Sequence, residues 1–203
     1  MNEAADAASN LPAILLLWLW WALLSAFDIA TRGRDGAEEG PPARAAHDAD
    51  PGAIDERFAA ILRLDPAFSL DAFLTGARRA YETILQAYAA ADIETLRPLL
   101  SPDVLAAFEE ACADRQRRGE SVELTLIGID AVEVVSVETG AEAMEVTLCF
   151  RSQSIWTERD AGGVVIGGDP ESVATTVQTW TFARPVPVSG PSWVLVATCV
   201  TEE

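Results

Sequence analysis

The chain has 203 residues, half of them apolar, which is material for one ordinary globular domain with an appendage and too little for two full domains. Its 32 acidic residues outweigh 14 basic ones, all of them Arg, for a formal charge of −18. A surface of that sign repels phosphate and lacks the basic stripe that displaces counterions from nucleic acid, so a nucleic-acid partner is not expected.

Residues 1–10 read as a short polar tail. Leu11 to Phe27 then runs for 17 residues without a charge, close to what a helix needs to cross the hydrocarbon of a bilayer. Nine of these residues are Leu, Ile or Phe; together they favour insertion by roughly 3 to 5 kcal/mol. A single transmembrane anchor helix is predicted over 11–30, with Pro12 near its start, where a helix tolerates proline. Glu3 and Asp6 stand where a cleaved signal peptide carries basic residues, and no A-x-A site follows. Arg32 and Arg34 follow the run and no Arg precedes it, which by the positive-inside rule puts the rest of the chain in the cytoplasm. Trp18, Trp20 and Trp21 keep open an alternative, a helix lying on the membrane surface or docked on a partner.

From Thr31 to Gly52 the chain offers Gly, Pro, Ala and charge but almost no large apolar side chain, so 31–52 is predicted to be a disordered acidic linker. The only histidine, His47, lies there. Without a histidine in the domain that follows, Ser-His-Asp and Cys-His nucleophiles and histidine metal sites are not expected.

The domain, 53–203, opens with helices. Ile54 to Leu64 is short and amphipathic. A longer helix is predicted from an N-cap at Ser69 to about Ala91, with Leu70, Phe73, Leu74, Ala77, Tyr81, Ile84, Leu85 and Tyr88 recurring every three or four residues as one buried stripe. Asp92 and Pro98 bound a brief third helix. Ser101-Pro102-Asp103 is a cap with proline at the first helical position, opening a helix through Leu105, Phe108 and Cys112 to a stop at Gly119. From Val122 the apolar period changes to two. Strands are predicted at Val122–Ile129, Val132–Glu138, Glu145–Thr157, Val173–Arg184 and Trp193–Thr201, with turns at Thr139-Gly140, Asp160–Gly163 and Val188–Pro191. Helices followed by strands give an α+β fold, with the N-terminal helices packed on one face of an antiparallel sheet.

Candidate site residues fall in four groups. Cys112, Cys149 and Cys199 are odd in number and far apart; they suggest neither a disulfide framework nor a zinc site and read as small buried hydrophobes in a reducing compartment. Gly162-Gly163 and Gly167-Gly168 lack the spacing and the Lys of a phosphate loop and read as hairpin turns, so no cofactor is expected. The large aromatics Phe150, Trp156, Trp180, Phe182 and Trp193 of the sheet, with Tyr81 and Tyr88 of the long helix, either fill the concave face or line a cleft for an acyl chain or peptide. Trp180, Phe182 and Arg184 alternate onto one face, an apolar wall ending in a charge. Arg115, Arg117 and Arg118 close a helix and, with Arg78 and Arg79, are the basic residues available for lipid headgroups or a partner's carboxylates. Catalysis by carboxylate and tyrosine, as in isomerases or dehydratases, is the enzyme alternative, resting on Tyr81 and Tyr88.

Several segments in order resemble the C-terminal domain family of mitochondrial import inner membrane translocase subunit 44. They are Asp65-Pro66-Ala67-Phe68-Ser69, Phe73-Leu74-Thr75-Gly76-Ala77, Ala80-Tyr81-Glu82-Thr83-Ile84, Ala91 to Leu96, Arg115 with Gly119-Glu120, Trp180 to Arg184, and Pro191 to Thr198. The similarity covers about Phe58 to Thr201. It implies a curved, cone-shaped sheet of the nuclear-transport-factor-two-like type, closed on one side by helices around an apolar cleft. It also implies a scaffold or adaptor for proteins at a membrane, for this chain a bacterial inner membrane, with lipid as a further contact. Gln178-Thr179 precedes Trp180 where many relatives carry an acidic residue, and a short acidic linker stands where mitochondrial relatives have a long basic region. The alternatives to a scaffold are binding of a lipid or small apolar ligand in the cone and, third, the acid-base enzyme.

Overall fold

The computed structural model describes residues 51–188 and 193–200. The expected anchor helix over 11–30, nearly all of the linker and most of the Val188–Pro191 turn lie outside the described residues. Among the described residues no helix is long and apolar enough to cross a membrane.

Among the described residues four helices come first: α1 (Pro51–Leu64), α2 (Leu70–Ala90), α3 (Ile93–Leu96) and α4 (Pro102–Arg118). Helix α1 starts three residues before the sequence-based expectation, with Pro51 at a first-turn position that suits its fixed φ and missing N–H. Helix α2 is capped by Ser69, whose hydroxyl accepts from Ala72 N at 3.4 Å. Its other end closes with Ala91 N on Tyr88 O at 3.1 Å and Asp92 N on Ala87 O at 2.8 Å, the paired bonds of a Schellman motif. That motif needs a left-handed residue. Here it is Ala91, at φ 54°. Asp92 caps α3 through Thr95 N and Thr95 Oγ1, and these bonds hold its carboxyl below the ordinary Asp range. Ser101 and Pro102 open α4 as expected, and Gly119 ends it at φ 68°.

Five antiparallel strands follow: β1 (Ser121–Thr139), β2 (Ala143–Arg159), β3 (Val165–Gly168), β4 (Ala174–Pro185) and β5 (Val194–Val200). The order is β1-β2-β4-β5, with β3 extending the column beside the end of β2. Where two strands were expected between Val122 and Glu138, there is one strand of 19 residues. Both halves pair with β2, and the Gly128–Ala131 break is absorbed as bulges at Leu126/Gly128 and Ile129/Ala131, with a third at Val134/Ser136. Each bulge adds a residue on one side of the pair and bends the strand. Three in one strand curve the sheet around α1 and α2, which both lie against β1.

The hairpin-turn reading holds for Gly162-Gly163, where Asp160 Oδ1 accepts from Gly162 N and Val164 N. It fails for Gly167-Gly168, which end strand β3. Gly168 has φ 72°, and a Cβ there would lie 2.2 Å from Trp156 O, so the glycine is required by backbone approach and not by a turn. Strand β5 is tied on its outer side to the segment before α4, by Ser101 N on Leu195 O at 2.9 Å and Leu195 N on Leu99 O at 2.8 Å.

The inner face of α2 meets the inner face of the sheet in a continuous run of rings. Phe73 lies 4.8 Å from Trp193 and 6.1 Å from Phe182, Tyr81 stacks on Phe150 at 4.4 Å, and Tyr88 meets Phe108 edge-on at 5.1 Å. Residues 73, 77, 81, 84 and 87 of α2 are buried, as the helical period requires.

Candidate binding cleft

On β2 the inward positions run Met144, Val146, Leu148, Phe150, Ser152, Ser154 and Trp156, every second residue. The first four are fully buried apolar side chains; at Ser152 the series turns to hydroxyls. Neighbouring β4 does the same. Phe182 and Trp180 face inward, followed by Gln178 and Thr176. Along this line the core opens into a cleft of about 120 Å³ between α2, α4 and the sheet.

Its deep end is formed by Tyr81, Ile84, Ser152, Gln178 and Trp180, all buried. The Tyr81 hydroxyl shares a hydrogen bond of 2.8 Å with Ser152 Oγ. Trp180 Nε1 donates to Gln178 Oε1 at 2.9 Å. An indole N–H can only donate, so this bond fixes which way the Gln178 amide points and leaves its NH₂ as the remaining donor. Half-buried Leu85, Tyr88, Val122, Leu124 and Trp156 make an apolar rim, to which Thr176 and Thr198 add hydroxyls. Among the described residues, none of the side chains lining the cleft is charged. Burial raises the Tyr81 hydroxyl above the ordinary Tyr range, with the Ser152 bond opposing it. Tyr88 is also raised by burial, against the lowering pull of Arg115. Both phenols are therefore neutral at ordinary pH.

The seven aromatics expected to line one cleft divide into three positions. Tyr81, Tyr88, Trp156 and Trp180 line it. Phe150 lies beneath Tyr81 with no exposure, a core residue. Phe182 and Trp193 belong to a separate, wider groove of about 510 Å³ with Phe68, Phe73 and Pro98. Alternation assigns Trp180 and Phe182 to the same face, but they meet opposite sides of the ring packing around Tyr81 and Phe73. Arg184 continues that face as expected, yet its charge is committed: Arg184 Nη1 meets Asp65 Oδ2 at 2.5 Å, and both side chains are largely buried. The wall therefore ends in a closed ion pair instead of an open cation.

The five arginines also separate. Arg115 is only 4 % exposed. Its Nη2 donates to Tyr88 O at 2.7 Å and Ala89 O at 3.0 Å, the last carbonyls of α2, while its guanidinium carbon sits 5.0 Å from the Tyr88 ring centre. Nη1 has no hydrogen-bond partner among the described residues. Arg115 is thus a clamp on the C-terminal end of α2 and is not available to a lipid surface, a correction to its expected grouping. Arg117 pairs with Asp114, and Arg118 Nε meets Glu120 Oε2 at 2.7 Å, so the end of α4 is largely neutralised. Arg78 and Arg79 are exposed on α2.

Of the cysteines only Cys112 is buried. Cys149 is half-buried and Cys199 exposed, because both occupy outward positions flanking Thr179 in register across the sheet. Among the described residues no group of His, Cys, Asp and Glu is arranged to hold a metal ion.

Residues 54–200 match the family described as the Tim44-like domain. The curated relatives include mitochondrial import inner membrane translocase subunit TIM44-1 of Arabidopsis thaliana, 28 % identical over 123 residues, which are 59 % of this chain and 25 % of that protein. The subunit TIM44 of Homo sapiens is 22 % identical over 125 residues, 61 % of this chain and 28 % of that protein. The chain spans about a quarter of the length of these relatives. Similar solved structures include the intermembrane space region of chloroplast protein ARC6, at 16 % identity and TM-score 0.43, covering 64 % of this chain and 96 % of that one. Another is a nuclear transport factor 2-like superfamily protein from Salmonella enterica serovar Typhimurium, at 11 % identity and TM-score 0.42, covering 66 % and 92 %.

Proposed function

Because the chain belongs to the Tim44-like domain family, we propose that it is a non-catalytic adaptor held at a membrane, binding proteins that cross or assemble there. The observation that carries this reading is the family match over the whole folded domain, 54–200, with relatives named as subunits of an inner-membrane translocase. In the finer form of the proposal, Leu11 to Phe27 anchors the chain in a bacterial inner membrane and Arg32 and Arg34 keep the domain in the cytoplasm. The three bulges of β1, which wrap the sheet around α1 and α2, support reading the domain as the cone-shaped nuclear-transport-factor-two-like type.

The cleft's chemistry supports binding over catalysis. Acid-base turnover at Tyr81 needs a partner base within reach, and among the described residues no carboxylate, imidazole, amine or thiol lines the cleft. Tyr81 itself is committed to Ser152 and to the stack on Phe150. Arg78 and Arg79, with Arg117 and Arg118 beside their carboxylates, remain the proposed contacts for a partner or for lipid headgroups.

Photo-crosslinking tests the proposal in cells making the full chain, with the reactive residue placed in turn at Leu62 and Ile127, two exposed apolar side chains. Capture of membrane-protein substrates or of components that move them is expected. Crosslinks to lipid alone, or none above those of an exposed control position such as Glu110, would overturn it.

A further inference from the structure

In a chain carrying a charge of −18, the described residues that line this polar-floored cleft are all uncharged, and the polarity runs in a definite direction. The rim is apolar. The deep end presents the Gln178 amide, held by Trp180 so that its NH₂ is the free donor, and the Tyr81–Ser152 hydroxyl pair. Two hydroxyls joined by a single hydrogen bond still hold one O–H and spare lone pairs between them.

We infer that the cleft is a binding site for a small neutral molecule with a carbonyl or hydroxyl on a compact apolar body, bound polar end first. Size, charge and donor chemistry each narrow the class. The volume, about 120 Å³, is close to that of a cavity of about 150 Å³ known to hold benzene, so the body is a single ring or a short branched chain and not an extended acyl chain. A carboxylate or phosphate would enter an apolar site without a countercharge, which is costly: Arg115 does not line the cleft, and its Nη2 is turned to the carbonyls of Tyr88 and Ala89. A wholly apolar ligand would strand the Gln178 NH₂ and the hydroxyl pair without water or partner. A carbonyl oxygen answers both groups at once. The site is separate from the adaptor role and stands or falls independently of it.

Three probes built on one six-membered ring separate the classes: cyclohexanone, its near-isostere methylenecyclohexane, in which C=CH₂ replaces C=O, and the slightly larger anion cyclohexanecarboxylate. Their dissociation constants are measured by ligand-observed NMR on the purified full chain in phosphatidylcholine nanodiscs, against empty nanodiscs. Cyclohexanone is expected to bind at least ten-fold more tightly than either of the others. The preference should vanish in Gln178→Met, and binding should be lost in Ala89→Trp, which fills the cleft from its rim. The comparison between probes needs no variant, so it stands even where a variant misfolds. Methylenecyclohexane binding as well as the ketone, the carboxylate binding best, no probe binding at all, or binding that survives Ala89→Trp would each overturn the inference.

Discussion

Removing the Trp180 ring should destabilise the domain more than any other change within the cleft. Trp180 is 2 % exposed and is held on three sides, 4.7 Å from Tyr81, 5.8 Å from Phe150 and 6.2 Å from Phe182. Deleting a large buried aromatic costs about 3 to 5 kcal/mol, the spread reflecting how far the surroundings collapse into the void. Collapse is limited here because Tyr81 is pinned to Ser152 and stacked on Phe150, which argues for the upper half of that range. Loss of the indole N–H also leaves Gln178 Oε1 without its donor, a further cost of about 1 kcal/mol, softened because the amide borders the cleft and can meet water. Trp180→Ala should therefore lose about 4 to 5 kcal/mol, and Trp180→Phe roughly 1 to 2 kcal/mol, since the ring packing is mostly kept. Urea unfolding followed by far-UV circular dichroism measures both. A loss below about 1 kcal/mol for Trp180→Ala would mean the ring is not buried, and the packing described here would be wrong.

Gly168→Ala should cost more than about 3 kcal/mol in the same assay, because a Cβ at φ 72° would be driven into Trp156 O. Arg115→Met should lose about 2 to 3 kcal/mol with little dependence on salt, since two hydrogen bonds from a buried cation to Tyr88 O and Ala89 O disappear. Glu158 is raised above the ordinary Glu range, first by burial and then by the charge of Glu120, so between the ordinary range and the raised value the folded state holds a proton that the unfolded state has released. Stability linked to Glu158 is then full below the ordinary Glu range and is lost as pH rises through the raised value. Glu158→Gln should accordingly raise the melting temperature at pH 7 and leave it nearly unchanged at pH 4; the opposite order of effects would refute the assignment.

Helix boundaries were legible because local chemistry decides them: Ser69, Asp92 and Ser101 satisfy their own helices' first N–H groups, and Gly119 supplies a left-handed stop. Strand continuity was not. Gly128 to Ala131 breaks the alternation and reads as a boundary, yet β2 is long enough to pair with both sides, so tertiary pairing turns the break into bulges. In β3 the signal was masked by Gly167 and Gly168, whose presence reflects the close approach of the Trp156 carbonyl. Within the site, the core-facing stripe of Tyr81 and Tyr88 followed from helical period, and the inward face of Phe150, Trp156 and Trp180 from strand period. Alternation tells which face a side chain takes but not how far along that face it lies, so the division between the cleft and the Phe182–Trp193 groove was hidden. The hydroxyl floor is legible in Ser152 and Ser154 standing in the inward series of β2, a weaker signal than the large rings beside them. The role of Arg115 had no local signal, since its partners lie 26 and 27 residues away in α2.

On the function proposed, the folded domain reaches the membrane through the N-terminal segment and itself binds protein. Vesicle flotation of the full chain beside a fragment of residues 51–203 tests it most directly. The fragment carries 11 Arg against 24 acidic residues, or −13, and repulsion of that size opposes adsorption to anionic lipid. The full chain is predicted to float with anionic vesicles at both low and high salt, and the fragment to remain behind at both. Flotation of the fragment, whether abolished by salt or resistant to it, would contradict the claim.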